Sequence, residues 1–386
     1  GIGRGAHVAI LFQNSLEFII SILAIADLGA IAIPMDPSIS AKDLLSGLEK
    51  TDSKFILLND FVLERLLKNQ DDLTKTINSQ TCICLGKKIE GFRSLEQVTG
   101  KAPDSFVLGG QGATLETAFI LTMTSGSTSS PKPIIFSQET KIQRALNAKE
   151  VYGLSSEDVI LVATPLYHSI SQRLIFLPLL LGCTSVVMSV FNPKSWVREV
   201  EARQVTFTIA VASQLEVLEP FLKEEKKRLS SLKSLVSCCA VLKDKTKKKL
   251  IETLDCDFHE CYGASEVGVI SNIGPGDWDK KLATVGKGVP GVKIQIRGDN
   301  GEIMPPGAVG EITCQSKMVF KGYYNRLSDT QASFDGKYFR TADNGFLDSD
   351  GYLVFTGRAK ELIITGGVNV YPKDIEEVLV CHPDIK

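Results

Sequence analysis

Short apolar runs alternate with amphipathic stretches through the first two thirds of the chain, and each change of period predicts a change from strand to helix. In residues 7–37, HVAILFQNSLEFIISILAIADLGAIAIPMDP, the run at 8–12 predicts a strand and Asn14 or Ser15 a helix N-cap. Leu16, Ile19, Ile20, Leu23 and Ala24 form one helical face, Gly29 ends the helix, and residues 31–34 begin a second strand. A strand, a helix and a strand in so short a span make a βαβ unit and hence a parallel sheet. Residues 54–58 and 81–85 read as further buried strands, and the polar stretch 87–115 as a connection. Residues 140–152 have helical spacing; 159–163, 205–212 and 233–237 are strand-like, and Trp196, Val197 and Val200 mark the buried face of a helix. The apolar stretch 174–190 is interrupted by Pro178 and Gly182, so it reads as a buried helix followed by a strand rather than a membrane span. The basic runs 226–228 and 247–249 sit in helical stretches with intervening acids and leucines and read as solvated faces.

Beyond Gly276 the period shortens. Alternations such as VKIQIRG and GEITCQS, separated by glycine and proline turns, predict a small antiparallel barrel at about 277–356. At residue 357 the α/β pattern returns. The expected architecture is α/β: an N-terminal domain over 1–356, mostly parallel βα layers plus the barrel, and at 357–386 the start of a small α+β domain.

Composition narrows the class. The 386 residues are 44% hydrophobic and 23% charged with a formal net charge of −2, which suits an α/β enzyme and gives no reason to expect nucleic acid as a partner. Nine cysteines without CxxC pairs argue against a disulfide framework or a zinc site and favour a reducing, cytoplasmic setting, and four histidines argue against a His-rich metal centre. The first residue is Gly1 and no signal-peptide pattern follows, so an excised fragment is expected.

The stretch with the most chemistry is 119–136, FILTMTSGSTSSPKPIIF, two apolar runs around a polar loop. Gly126 lets the backbone turn close to a ligand, successive N–H groups can form an anion nest, Thr124, Ser125, Ser127 and Thr128 add hydroxyl donors, and Lys132 adds charge. Pro131 and Pro133 exclude a Walker A loop. By composition alone the loop would sooner be read as a serine-rich surface turn.

The loop resembles the phosphate-binding loop of the adenylate-forming superfamily, TSGTTGxPKG, with Ser129 and Pro133 in place of its later glycines. Four more stretches resemble that family in the same order: PLYHS at 165–169, YGASE at 262–266, YFRTAD at 338–343 and GRAKELIITGGVNVYP at 357–372. Taken singly, His168 could be a packed core histidine, Glu266 an exposed glutamate after a strand, and Asp343 a turn residue. The resemblance implies that the loop and Lys132 hold the phosphates of ATP, that Tyr262 and Gly263 lie by the adenine, that Ser265 meets the α-phosphate, and that Glu266 holds Mg2+. It further implies that Asp343 and Arg358 meet the ribose, that Lys360 is the hinge of a mobile domain, and that Gly366 and Gly367 approach a pantetheine channel. His168, Ser169, Ala212, Ser213, Cys239, Ala240 and Gly263 are then expected to line the acyl pocket, with SCCA at 237–240 where the family has SGGA. Lys132, His168 and Glu266 are the expected catalytic residues.

The implied reaction joins a carboxylic acid to AMP and passes the acyl group to a thiol, with CoA as co-substrate. PLYHS offers no carboxylate, so a buried α-ammonium would stand without a counter-charge at a cost of several kcal/mol, and a fatty or aryl acid without an α-amino group is expected. Two alternatives stay open: loading of a carrier protein's phosphopantetheine, and a non-catalytic binding protein on the same scaffold. Family members continue beyond this point and carry there a lysine that bridges the carboxylate and the α-phosphate. The chain as given is therefore expected to adenylate weakly, by about 10²- to 10³-fold for one missing charge donor.

Overall fold

The structure is a computed structural model that describes residues 2–68, 77–78, 80–100, 113–123, 131–358, 363–365, 368–370 and 379. The chain divides into two units. Unit 1 comprises Gly1–Leu146, Leu154–Ile209 and Phe320–Leu327, and unit 2 comprises Asn147–Gly153, Ala210–Val319 and Ser328–Lys386.

Unit 1 opens with β1 (His7–Leu11), α1 (Leu16–Asp27) and β2 (Ile31–Pro34), the βαβ unit expected from the pattern. The Ser15 hydroxyl caps α1, accepting from the Phe18 N–H at 3.3 Å. Asn14 instead anchors the PLYHS stretch. Its amide donates to the carbonyls of Thr164 (2.9 Å) and Met188 (3.0 Å), and its Oδ1 accepts from the Leu166 N–H (2.7 Å). The buried face of α1 is Phe18, Ile22 and Ile25, whereas Leu16, Ile20 and Leu23 are exposed, which corrects the face expected from spacing. This helix is apolar on nearly every side, so periodicity could not select the face.

There follow α2 (Ala41–Lys50), β3 (Phe55–Asn59), α3 (Asp60–Leu67), β4 (Cys82–Leu85), β5 (Arg93–Ser94), α4 (Leu95–Thr99), β6 (Ala118–Met123), β7 (Pro133–Ser137) and α5 (Gln138–Tyr152). The sheet order is β5-β4-β3-β1-β2-β6-β7, parallel except for the antiparallel β6–β7 pair. Its core gathers Leu11, Ile33, Leu44, Ile56, Leu58, Leu63 and Leu121. The segment 320–327 adds to the free side of β7: the Ile135 N–H donates to the Gly322 carbonyl, the Lys321 N–H to the Ile135 carbonyl and the Tyr324 N–H to the Pro133 carbonyl, at 2.9–3.0 Å.

Unit 1 continues with β8 (Val159–Val162), α6 (Ser169–Leu181), β9 (Thr184–Val187), α7 (Pro193–Arg203) and β10 (Phe207–Val211), β8 pairing in parallel with β9 and β10. Trp196, Val197 and Val200 are buried as expected.

In unit 2, α8 (Ala212–Glu225) leads to β11 (Ser234–Cys238), α9 (Asp244–Thr253), β12 (Asp257–Ala264), β13 (Gly268–Ile273) and β14 (Lys287–Gly288). β11 and β12 are parallel, and β12–β13 and β13–β14 antiparallel. The expected antiparallel part then forms from β15 (Lys293–Arg297), β16 (Gly310–Gln315), β17 (Phe334–Asp335), β18 (Tyr338–Leu347) and β19 (Leu353–Arg358), around Val285, Ile296, Ile312 and Leu353. β20 (Ile363–Thr365) and β21 (Val368–Val370) pair as a hairpin. The run 247–249 is not uniformly solvated: Lys247 is buried and paired with Glu260, while Lys248 and Lys249 are exposed. Among the described residues no helix is long and apolar enough to cross a membrane.

Candidate active site

Unit 2 brings together three residues that stand far apart in the sequence. Asp343 on β18 lies opposite Arg358 on β19 in the antiparallel register, and its Oδ1 is 3.6 Å from the Arg358 Nε. The Tyr262 hydroxyl, at the end of β12, donates to Asp343 Oδ2 at 2.7 Å. The Tyr262 ring packs by Phe355, centroid to centroid 5.7 Å, so its apolar body is held by the barrel core and its polar tip by the carboxylate. Burial, and then the Asp343 charge, push the Tyr262 phenol well above its ordinary value, so it remains a donor at every physiological pH.

The β18 residues before Asp343 are held from β16. The Thr341 hydroxyl donates to the Ile312 carbonyl (2.7 Å) and accepts from the Asp343 N–H (3.1 Å), and Glu311 accepts from the Ala342 N–H (3.1 Å) while pairing with Arg340 at 2.7 Å. Beside the register irregularity of the β16–β18 ladder, Ala342 has φ +59°, a conformation that suits glycine. Cys239, in the place of another family glycine, has φ +71°. Two of the departures from the family motifs therefore put a side chain on a left-handed backbone. Ala342→Gly should stabilise the protein by about 1 kcal/mol, read as a raised urea midpoint at unchanged m-value; an unchanged or lowered midpoint would show that Ala342 carries no strain.

Tyr262 and Gly263 flank a bulge between β12 and β13, and Gly263 has to be glycine: a Cβ there would sit 2.0 Å from the Gly268 carbonyl oxygen. Ser265 and Glu266 occupy the turn that follows, Ser265 exposed and Glu266 half-buried. Ala212 and Ser213 follow the C-terminal end of β10, Cys239 and Ala240 that of β11, and Gly263 lies near that of β12, the edge at which ligands collect in α/β sheets. Ala212 is buried; Ser213, Cys239, Ala240 and Gly263 are exposed. The Cys238 thiol reaches the Ala210 carbonyl at 3.6 Å and the Cys239 sulfur at 3.5 Å. Its hydrogen bonds to Cys239 and Cys261, together with burial, hold it well above the ordinary thiol value.

In unit 1, the Met123–Pro133 pair closes the β6–β7 ladder, so the phosphate-loop segment starts and ends side by side. Thr124, Ser125, Gly126, Ser127 and Thr128 lie outside the described residues, as do Lys360, Gly366 and Gly367. Lys132 is described: its ammonium stands 5.1 Å from the centroid of the Tyr323 ring, which the 320–327 segment brings beside β7. His168 is the N-cap residue of α6, without a side-chain capping bond, and its ring packs on Tyr167 at 4.3 Å. The Ser169 hydroxyl accepts from Arg144 at 3.1 Å.

Sequence reading missed Asn14 as an anchor, Glu311 and Thr341 as supports of Asp343, and Arg144 as a partner of Ser169. A buried asparagine before a helix carried a usable signal; the others depend on strand register and helix packing that the local pattern does not encode.

A fold of parallel βα layers with an antiparallel sheet, carrying a tyrosine, an aspartate and an arginine joined at its strand ends, defines the adenylate-forming class of enzyme. The chain belongs to the AMP-binding enzyme family, whose sequence model matches residues 1–324. It is 28% identical to an indoleacetate–CoA ligase of Aromatoleum aromaticum, covering 100% of this chain and 75% of that protein. It is also 28% identical to a 2-succinylbenzoate–CoA ligase of Bacillus mycoides, at 100% and 75% coverage. Among solved structures it is similar to an o-succinylbenzoate CoA synthetase of Bacillus subtilis in complex with its acyl-adenylate intermediate, with TM-score 0.87, 25% identity and coverage of 99% of this chain and 74% of that one. An amide bond synthetase of Marinactinospora thermotolerans matches with TM-score 0.87 and 26% identity, covering 100% of this chain and 76% of that one.

Proposed function

We propose that this chain activates a fatty or aryl carboxylic acid with ATP and transfers the acyl group to CoA. A carboxylate oxygen attacks the α-phosphorus and pyrophosphate leaves; the CoA sulfur then attacks the acyl carbon and AMP leaves. The observation that carries this reading is the Tyr262–Asp343–Arg358 cluster, which gives a nucleoside a flat ring, a carboxylate for its hydroxyls and a guanidinium. The enzyme positions two anions and offsets their charge, which calls for fixed donors rather than a covalent intermediate.

Within that reading Lys132 supplies a cation to a phosphate oxygen, Ser265 donates to the α-phosphate, and His168 and Ser169 border the acyl group with Ala212, Ser213, Cys239, Ala240 and Gly263. Glu266 would hold Mg2+. Among the described residues no group of three His, Cys, Asp or Glu side chains could hold a metal alone, which fits a hard cation bound by one carboxylate and the nucleotide's own phosphates. When bound, Mg2+ neutralises phosphate charge. Lys360 is the hinge of the domain that begins at residue 357. Among the described cysteines there is no disulfide, which supports a reducing, cytoplasmic setting.

Calorimetric titration with MgATP, followed by pyrophosphate release across a panel of carboxylic acids, tests the reading. Nucleotide binding with acid-dependent pyrophosphate release is expected, with CoA preferred over a phosphopantetheinylated carrier protein as acceptor. Failure to bind ATP, or pyrophosphate release that no acid changes, would overturn it.

A further inference from the structure

At the C-terminal end of β11 one buried thiol touches two others. Cys238, the last residue of that strand, is 3% exposed; its Sγ lies 3.5 Å from the Cys239 Sγ, and it shares a hydrogen bond with Cys261, buried on the neighbouring strand β12. Consecutive residues of an extended strand point to opposite faces, so two adjacent sulfurs meet only where the backbone leaves the strand. Cys239 is that point: its φ of +71° is left-handed, a conformation that costs a residue with a β-carbon about 1–2 kcal/mol. Glycine would take the same backbone without that cost, so packing alone does not call for a cysteine here. Among the described residues Cys239 is also the only exposed cysteine.

The two adjacent thiols differ in what they can do. Hydrogen bonds to Cys239 and Cys261, and then burial, hold the Cys238 thiol well above its ordinary value, so it stays protonated and out of reach of a dissolved oxidant. Cys239 is open to solvent, and the Cys238 sulfur already lies against it. A solvent-accessible thiol with a second thiol beside it is the arrangement in which a first oxidation product is captured before it is oxidised further. Contact replaces reactivity in the buried partner, because the two sulfurs need no encounter.

We infer that Cys239 is a site of modification by hydrogen peroxide and that Cys238 captures the product as a Cys238–Cys239 disulfide. The Cys239 sulfur attacks one peroxide oxygen, the O–O bond breaks, and the second oxygen leaves with the thiol proton as water; the sulfur is oxidised to a sulfenic acid and the peroxide is reduced. The Cys238 sulfur then attacks the Cys239 sulfur, the S–O bond breaks, and the hydroxyl leaves with the Cys238 proton as a second water. Adjacent Cα atoms stand about 3.8 Å apart, short of the roughly 4.4–6.8 Å that a relaxed disulfide spans, so the product is strained and a thiol reductant returns it to two thiols. Joining Cys239 to the strand end displaces the Cys239–Ala240 segment. Under the proposed function, on which this one consequence rests, that segment borders the acyl group, so the oxidised chain should lose most of its acid-dependent pyrophosphate release and keep its ATP affinity.

Trypsin releases both cysteines on one peptide, residues 234–243, so alkylation of the unfolded chain followed by mass spectrometry reads them together. The reduced chain should take an alkyl group on each thiol of that peptide. After stoichiometric hydrogen peroxide, quenched with catalase, the peptide should take none, weigh two hydrogens less, and regain both sites with dithiothreitol. Cys238→Ser should instead leave a sulfenic acid on Cys239 that dimedone traps, and Cys239→Ser should leave Cys238 reduced at the same peroxide dose. Two alkylated thiols after peroxide, a disulfide joining either cysteine to any other residue, oxidation of Cys238 in Cys239→Ser, or unchanged acid-dependent pyrophosphate release from the oxidised chain would each overturn the inference. The mass reading needs no ligand, which keeps the two ideas apart: a disulfide in a chain that binds no ATP defeats the proposed function alone, and acid-dependent pyrophosphate release from a chain that forms no disulfide defeats this inference alone.

Discussion

Asp343→Ala should raise the dissociation constant for ATP and AMP by roughly 10²- to 10⁴-fold, the loss expected for two charge-assisted hydrogen bonds at about 1.5–3 kcal/mol each. Asp343 is buried, already accepts from Tyr262 and pairs with Arg358, so its position is fixed before a ligand arrives. Such preorganisation gives affinity without an ordering cost at the moment of binding. The decisive control is 2′,3′-dideoxy-ATP. The unaltered chain should bind it far more weakly than ATP, and Asp343→Ala should bind the two alike, because the carboxylate proposed to read the ribose is gone. If the unaltered chain does not distinguish the two nucleotides, Asp343 is not the ribose ligand. Arg358→Met should have the same sign with a smaller effect, since its ion pair with Asp343 at 3.6 Å is partly exposed and screened.

How far this site could be read from sequence differs from residue to residue. YGASE and YFRTAD are visible as phrases, but only strand register shows that Tyr262 and Asp343, 81 residues apart, share a hydrogen bond. The βαβ alternation of unit 1 is written plainly in the period of its apolar residues, and so is the buried face of α7, where Trp196 and two valines stand among charges. Where a helix is apolar nearly all round, as α1 is, spacing selects no face. Where a charged side chain is buried, the pattern is of little help: Lys247 sits in a run that reads as solvated, Lys141 and Arg144 in a stretch whose helical spacing gives no sign of their burial, and only their neighbours decide. For Lys141 and Arg144 the neighbour is the Phe136 ring on the preceding strand; for Lys247 it is a glutamate from the middle of β12.

That last pair lies beside the strand ends of unit 2 proposed to border the acyl group, and breaking it should be the largest single loss of stability. Lys247 Nζ lies 2.7 Å from Glu260 Oε2 with both side chains 3% exposed, and Glu260 Oε1 accepts from the Leu242 N–H at 3.1 Å. The carboxylate thus holds the segment between β11 and α9, where Cys239 and Ala240 stand, two residues before Tyr262 on its own strand. Lys247→Met leaves that carboxylate buried without its partner and should destabilise the protein by about 3–5 kcal/mol, measured by urea unfolding. A buried pair is weak evidence of net stabilisation, however, because both charges also lose their water. Lys247→Met combined with Glu260→Leu should therefore recover most of the loss, apart from about 1–3 kcal/mol for the unsatisfied Leu242 N–H. If the double variant is as unstable as the single one, the pair contributes through packing rather than charge. If the double variant folds well yet binds the acid more weakly with ATP affinity intact, the pair's contribution is to hold the Cys239–Ala240 segment in place.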